Sequence, residues 1–571
     1  MVKLPHLRAM WLNDRSNLVK NLLTEIESVQ ANMVRELKAL IDQGKMVFQG
    51  LWYLIEQGSQ IYSFKNGAKV GATVLSADYG YGFDIVGQMV KSDGEHFYYA
   101  SDNFRIGWFE GVKELKDLDV RLMDPESMDE LIDRGQIFNE LGIGHNFRNY
   151  TGYMMSKWSD MFVQKVSADG RVMIDVVTYN RLHPNDSTFR FTQAAYNQMN
   201  QRNANGKKRH YNAAAQQYDH WGGNRGTAGA EMEGKFKSVN CEDLFMCWPT
   251  LPGFSFQNKK WGEFLVTLTS PIVFDDKAFD QLVLAEEKKV LIKSLVECQE
   301  NNEVMDRGFT DIISGKGGGC IFLLHGPPGT GKTLTAEAVS EHLHTPLYSV
   351  SVGELGTTPH ELEKNLQRIL EVAWVWKASI LMDEADIFLE RRTKVDIMRN
   401  AMVGIFLRLL EYHNGVLFLT TNRIRAIDDA FSSRISIALH YEELDRDARE
   451  SVWRNFLNHV ASTDGEDSVS DDLKPHKLSK FKLNGRQIRS TVKLSQSLAR
   501  TEKVPLSMRH VETTVQVSLS FEEKFEEQVR SKRREKHIYK NRLDKKGKQP
   551  ASGQSGLRKS IIVKIQDSEE D

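Results

Sequence analysis

Cysteine is scarce in this 571-residue sequence, and the four present, Cys241, Cys247, Cys298 and Cys320, have neither disulfide-scaffold density nor metal-ligand spacing. They read as small apolar core residues of a protein in a reducing compartment. No apolar run approaches the roughly 20 residues that span a bilayer. The opening MVKLPHLRAMWLNDRSNLVKNLL is broken by charge before any apolar signal core develops. Both absences predict a soluble intracellular protein, cytoplasmic or nuclear. Charge of either sign is not in excess: 75 basic against 77 acidic residues leave −2, so no global field draws the chain to nucleic acid or anionic lipid. Residues 193–234 hold hardly any aliphatic side chains, being mostly Asn, Gln, Ala and Gly, and predict a mobile low-complexity insertion.

What is present is enough for several domains, since 40% hydrophobic residues over this length can build more than one core. Residues 1–45 carry apolar positions at helical spacing, Leu22, Ile26, Val29, Met33 and Leu37, which predicts an amphipathic packing helix. Residues 46–192 turn to short runs rich in Val, Ile, Tyr and Phe. MVFQGLWYLI, KVGATVL, FDIVGQMV, HFYYA, RVMIDVVTY and STFRFT read as strands, and PESMDELIDRGQIFNELG as a helix, giving a β-rich α+β domain. After the insertion, residues 235–278 return to that domain and lead to the next. From 522 to 571 charge runs predict a disordered tail, whose KRREK and RLDKKGK clusters fit a solvated tail first and a nuclear address or nucleic-acid arm second.

The chemistry concentrates between 279 and 521. The apolar strand CIFLLH runs into Gly326-Pro327-Pro328-Gly329-Thr330-Gly331-Lys332-Thr333, with Leu334 opening the helical stretch that follows. Strand, glycine-rich loop and helix come in the order of a P-loop. Glycines let backbone N–H groups curl around phosphates, and the helix N-terminus adds positive potential. Lys332 is then placed to neutralise the β- and γ-phosphates of ATP, and the Thr333 hydroxyl to hold Mg²⁺. About fifty residues on, ILMDEAD ends an apolar strand in acids. Asp383 is the candidate metal-binding carboxylate and Glu384 the candidate general base. The letters DEAD do not make a helicase, since no Ser-Ala-Thr motif and no His-Arg-x-Gly-Arg-like segment follows. VLFLTT ends at Asn422, whose amide suits orientation of the attacking water. Arg434 precedes the strand ISIALH as a candidate arginine finger, and Arg486 opens a helical stretch as a candidate lid sensor.

GPPGTGKT, ILMDEAD, TTNR with the following SSR, and NGRQIR resemble in order and spacing the AAA (AAA+) family of P-loop ATPases. FDQLVLAEEKKVLIKSLVE, FLERR and RNAMVGIFLRLLEY are similar to AAA proteins of filamentous fungi with an uncharacterised N-terminal domain. The resemblance implies a five-stranded parallel α/β sheet over 279–440, a helical lid over 441–521, nucleotide at a subunit interface and a homo-oligomeric ring, usually of six. It implies that Lys332, Thr333, Asp383, Glu384, Asn422, Arg434 and Arg486 serve as Walker A lysine and hydroxyl, Walker B acids, sensor 1, arginine finger and sensor 2. SVSVGELGTTPHELEKNL departs from the family's pore loop by lacking an aromatic residue. Three functions follow as expectations: an ATP-driven remodeller of a protein client, an ATP-gated scaffold with slow turnover, or a DNA-directed machine using the basic tail.

Overall fold

The computed structural model describes residues 31–520, except 66, 160–161, 185–234, 301–318, 393–395 and 424–426. The expected insertion, the tail, the STFRFT strand and most of the first predicted helix lie outside the described residues; residues 31–42 are helical.

The N-terminal region is built on two antiparallel sheets. In the six-stranded sheet Ala68–Tyr79, Gly82–Ser92 and Phe97–Gly107 form a long meander flanked by Gln60–Lys65, and in the seven-stranded sheet Thr250–Ser255 lies between Gly170–Asp175 and Lys260–Leu265. Helix Pro125–Leu141 closes the space between the sheets. Asp124 caps it by accepting the Ser127 N–H, and proline sits at its first position. Its inner face, Leu131, Phe138 and Leu141, shares one core with Tyr62 and Phe97 of the first sheet and Tyr150, Val172 and Phe264 of the second. Arg134 is buried on this face and donates to the carbonyls of Lys69 and Cys247.

Two expected strands are corrected. MVFQGLWYLI is strand only over Lys45–Val47; Phe48–Gly50 is a 3-10 turn and Leu51–Leu54 a helical turn. The Leu51 N–H bonds the Phe48 carbonyl and the Ile55 N–H the Leu51 carbonyl, which coils the chain, and the turn packs so closely that a Cβ at Gly50 would lie 2.4 Å from Leu37 Cδ2. RVMIDVVTY is strand only through Asp175, because the Asp175 carboxylate accepts the Thr178 N–H and starts helix Val176–Leu182.

The second half is an α/β layer whose strands are β1 (Cys320–His325), β2 (Leu347–Val350), β3 (Ser379–Met382), β4 (Val416–Thr421) and β5 (Ile437–His440). All pair in parallel in the order β2-β3-β4-β1-β5. Parallel strands covered on both faces read as continuous apolar runs, and β1 divides its side chains accordingly. Ile321 and Leu323 enter the core with α2 (Pro359–Val375) and α3 (Ile397–Leu410), while Phe322 and Leu324 face α1 (Lys332–His342) and helix Glu286–Glu300. Thr358 and Glu361 form a reciprocal capping box that fixes the start of α2. The lid helices α4 (Arg446–Asp464) and α5 (Gly485–Glu502), with residues 508–520, close on their own core around Trp453, Ile488 and Val511.

The two halves share a core. Met173 and Phe254 of the second N-terminal sheet pack with Tyr348 of β2 and with Trp376 at the end of α2, the Phe254 and Tyr348 rings stacking at 5.3 Å. The buried Asp175 carboxylate accepts the Trp376 Nε1–H at 2.6 Å, and Lys259 pairs with Glu354 at 2.6 Å. No helix among the described residues is long and apolar enough to cross a membrane.

Candidate nucleotide site

The C-terminal edge of a parallel sheet is where buried apolar strands first release polar residues, and all the candidate side chains except Arg434 and Arg486 meet at this edge. β1 ends at His325, followed by the glycine loop. Gly326 has φ 147°, and a Cβ there would lie 2.1 Å from the Tyr441 carbonyl oxygen. Gly329 has φ 77°, and a Cβ would lie 2.6 Å from Asn484 Oδ1. Only glycine fits either position. Gly331, with φ 100°, is the N-cap from which α1 departs. Glycine-rich backbone leading into a helix N-terminus is the kind that receives phosphate oxygens.

Lys332 is 8% exposed. Its ammonium folds over the loop, donating to the Gly326 carbonyl at 2.9 Å, the Pro327 carbonyl at 2.7 Å and Asn422 Oδ1 at 2.9 Å. Burial lowers its pKa, the Asp383 charge works against that, and Arg486 reinforces it. An ammonium that is desolvated and held on carbonyls alone favours a ligand bearing negative charge. Next to it the Thr333 hydroxyl donates to the two Asp383 carboxylate oxygens at 3.2 and 3.3 Å. A hydroxyl and a carboxylate facing one another are hard oxygen donors of the kind Mg²⁺ takes together with phosphates.

Glu384 follows Asp383 in the left-handed region, φ 53°, and its side chain is exposed beside the loop. The Thr420 hydroxyl accepts the Glu384 N–H at 2.9 Å and donates to Asp383 Oδ1. Thr421 donates to Asp386 and accepts the Arg423 N–H at 2.9 Å. Sequence reasoning passed over these two hydroxyls; the signal was a pair of threonines closing an otherwise aliphatic strand.

The lid touches the loop directly, the Gly485 N–H donating to the Gly329 carbonyl at 2.8 Å. Asn484 caps α5 in a box with Gln487, placing Arg486 in the first turn, exposed, with its charge felt at Lys332. Arg434 stands apart. Its guanidinium pairs with Glu411 and donates to the Ala430 carbonyl at 2.8 Å and to Ser433 Oγ at 3.2 Å, engagements within its own chain. Leu334 is exposed at the start of α1. His325, just before the loop, has its pKa lowered by burial and by the charges of His440, Lys288 and Lys332.

Residues 322–443 match the family described as AAA, ATPase family associated with various cellular activities. This chain carries an AAA ATPase domain. Such domains bind ATP through a P-loop, and the parallel sheet and glycine loop here are built that way. Residues 36–125 match a domain of unknown function, DUF7025, which falls on the first N-terminal sheet. Human ATPase family AAA domain-containing protein 3B is 28% identical over 195 residues, 33% of this chain and 29% of that protein. The Xenopus laevis ATPase family AAA domain-containing protein 3-B is 26% identical over 194 residues, 33% of this chain and 32% of that one. ATPase family gene 2 protein of Schizosaccharomyces pombe is 28% identical over 189 residues, 32% of this chain and 23% of that one. The matches thus cover less than a third of the length of each of these relatives.

Proposed function

We propose that the AAA domain binds ATP with Mg²⁺ and hydrolyses it, and that a homo-oligomeric ring uses the cycle to remodel a protein or other macromolecular partner held by the N-terminal domain. The observation that carries the reading is the connected set of hydrogen bonds from Asn422 through Lys332 to the loop, and from Thr333 through Asp383 and Thr420 to Glu384. When bound, Mg·ATP supplies the phosphoryl group and the metal charge that neutralises its oxygens. Around it Lys332 binds phosphate, Thr333 and Asp383 hold the metal, Glu384 takes the proton of the attacking water and Asn422 orients that water. Arg486 completes the site from the lid, and Arg434 completes it from the neighbouring subunit. On this reading the chain is kin to AAA proteins of filamentous fungi whose N-terminal domain is uncharacterised.

Binding is tested with a fluorescent ATP analogue. Lys332→Ala removes the ammonium folded over the loop, and Gly326→Ala drives a Cβ into the Tyr441 carbonyl oxygen and so distorts the loop. Each should weaken binding by about tenfold or more, since one charge-assisted contact is worth roughly 1.5–3 kcal/mol. Affinity equal to wild type in both, with melting curves unchanged, would sink the assignment of this loop.

A second reading, an ATP-gated scaffold with slow turnover, is favoured by one observation. The stretch SVSVGELGTTPHELEKNL, where many AAA unfoldases carry an aromatic residue on a pore loop, has none in the loop itself, and its Glu354 is held by Lys259 of the N-terminal region and by Ser351. A client that accelerates turnover severalfold supports the remodeller; a basal rate that no partner raises supports the scaffold.

A further inference from the structure

β4 is buried along its whole length, and Thr420 and Thr421 are each 1% exposed. A buried hydroxyl costs free energy unless it is bonded, so two threonines at the end of an aliphatic strand call for a use. Thr421 serves Asp386 and the Arg423 N–H. Thr420 serves both candidate catalytic acids at once. A hydroxyl has one proton to give and lone pairs to receive. The Thr420 proton goes to Asp383 Oδ1, and the Thr420 hydroxyl oxygen itself receives the Glu384 N–H at 2.9 Å. Its main-chain carbonyl receives the next N–H, that of Ala385, at 3.0 Å.

The Glu384 backbone needs such support. A non-glycine residue at φ 53° is strained by about 1–3 kcal/mol and persists only where neighbours over-determine it. Two consecutive N–H groups fixed on one residue do that, and the conformation decides where the Glu384 carboxylate points. Asp383 is meanwhile fixed from two sides, by Thr333 of the loop helix and by Thr420. Rotation of Asp383 toward or away from a metal therefore pulls on the same oxygen that anchors Glu384.

Resting on the hydrolytic reading above, we propose that Thr420 is a positioning residue that locks the metal-holding Asp383 and the base Glu384 into one geometry through a single hydroxyl. It acts through both acids and touches no substrate. Sequence patterning does not require it, because any β-branched residue satisfies a buried strand at this position.

Thr420→Val keeps shape and removes the hydroxyl; Thr420→Ser keeps the hydroxyl. Affinity for a fluorescent ATP analogue is measured in EDTA and across a Mg²⁺ titration, alongside kcat, KM and melting temperature. For Thr420→Val the expected results are EDTA affinity within about twofold of wild type, a gain on adding Mg²⁺ that is reduced severalfold, and kcat lower by about 10- to 100-fold with KM within about threefold. Thr420→Ser should recover the Mg²⁺ response and most of kcat. Should the valine variant melt early, Thr420→Ala and Thr420→Ser decide the matter at a temperature where both are folded. Losses that serine does not rescue, or a valine variant indistinguishable from wild type in Mg²⁺ response and kcat, overturn the proposal. Wild type that hydrolyses ATP and is silenced by Glu384→Gln, with Thr420→Val at full speed, sinks this inference alone. Wild type no faster than Glu384→Gln sinks the hydrolytic reading and this inference with it.

Discussion

Arg171 of the N-terminal region grips Glu341 of α1 with both terminal guanidinium nitrogens, Nη1 to Oε1 at 2.6 Å and Nη2 to Oε2 at 2.8 Å. Glu341 stands near the far end of the helix that begins with Lys332, so a rigid rod of under three turns links the N-terminal sheet to the phosphate loop. Burial opposes ionisation of Glu341, yet the Arg171 bond and the Asp275 N–H hold its carboxyl below the ordinary carboxylate range. With Asp175 on Trp376 and Lys259 on Glu354, the N-terminal domain is fastened to α1, α2 and the segment after β2.

Breaking that grip should loosen the union. Arg171→Ala leaves a partly buried carboxylate without its planar partner and should destabilise the chain by about 1.5–3 kcal/mol. Arg171→Lys should restore only part of this, because an ammonium cannot match both oxygens in one plane. Denaturant unfolding followed by tryptophan fluorescence checks it. An Arg171→Ala midpoint equal to wild type would mean the pair is ornamental.

Arg434 is offered for action across a subunit boundary, although here Glu411, Ala430 and Ser433 occupy its guanidinium and its Nε has no partner among the described residues. If it serves a neighbour, Arg434→Ala should lose turnover by at least about tenfold, and mixing it with Glu384→Gln should regain activity, since mixed rings contain intact composite sites. Phosphate release by the mixture above the sum of the two variants is the expected result. A mixture that merely averages them places Arg434 in a salt bridge and nothing more.

His413 lies between α3 and β4, 4% exposed, with no hydrogen-bond partner on Nε2 among the described residues. Burial pushes its pKa down to about 4. Above the ordinary histidine value near 6.5 neither folded nor unfolded chain binds the proton, so the group is silent there. As pH falls from about 6.5 toward about 4, the unfolded chain takes up the proton and the folded chain does not, so stability drops, by on the order of 3 kcal/mol at the limit. His413→Leu lacks that uptake. The stability gap between wild type and His413→Leu should therefore move in favour of the leucine variant across this window and stay flat above pH 7. A gap independent of pH would show that His413 is protonated in the folded protein or never desolvated.

Much of the nucleotide half was legible because a parallel strand buried on both faces writes itself as an unbroken apolar run, and its first polar residues mark the functional edge. CIFLLH and ILMDEAD are of this kind. The glycines were legible too, since positions such as Gly326 admit no Cβ. The N-terminal half was harder. Its strands alternate and are joined by pairings whose partners lie far apart, such as Val172 with Ser255, and nothing local specifies them. MVFQGLWYLI and RVMIDVVTY are β-rich in composition but coil where Phe48–Gly50 and Leu51–Leu54 close into helical turns and where Asp175 caps a helix. The bond between Arg171 and Glu341 joins residues 170 positions apart, which no pattern of spacing announces. Thr420 was hidden for the opposite reason, since a threonine in a strand is unremarked until its hydroxyl is seen to face two acids.

The account stands most directly on the role of Glu384, and steady-state phosphate release at saturating ATP and Mg²⁺ measures it. The wild-type chain should turn over, while Glu384→Gln should bind the fluorescent ATP analogue within about twofold of wild type and release phosphate at least about 100-fold more slowly. Equal rates in the two proteins would contradict it.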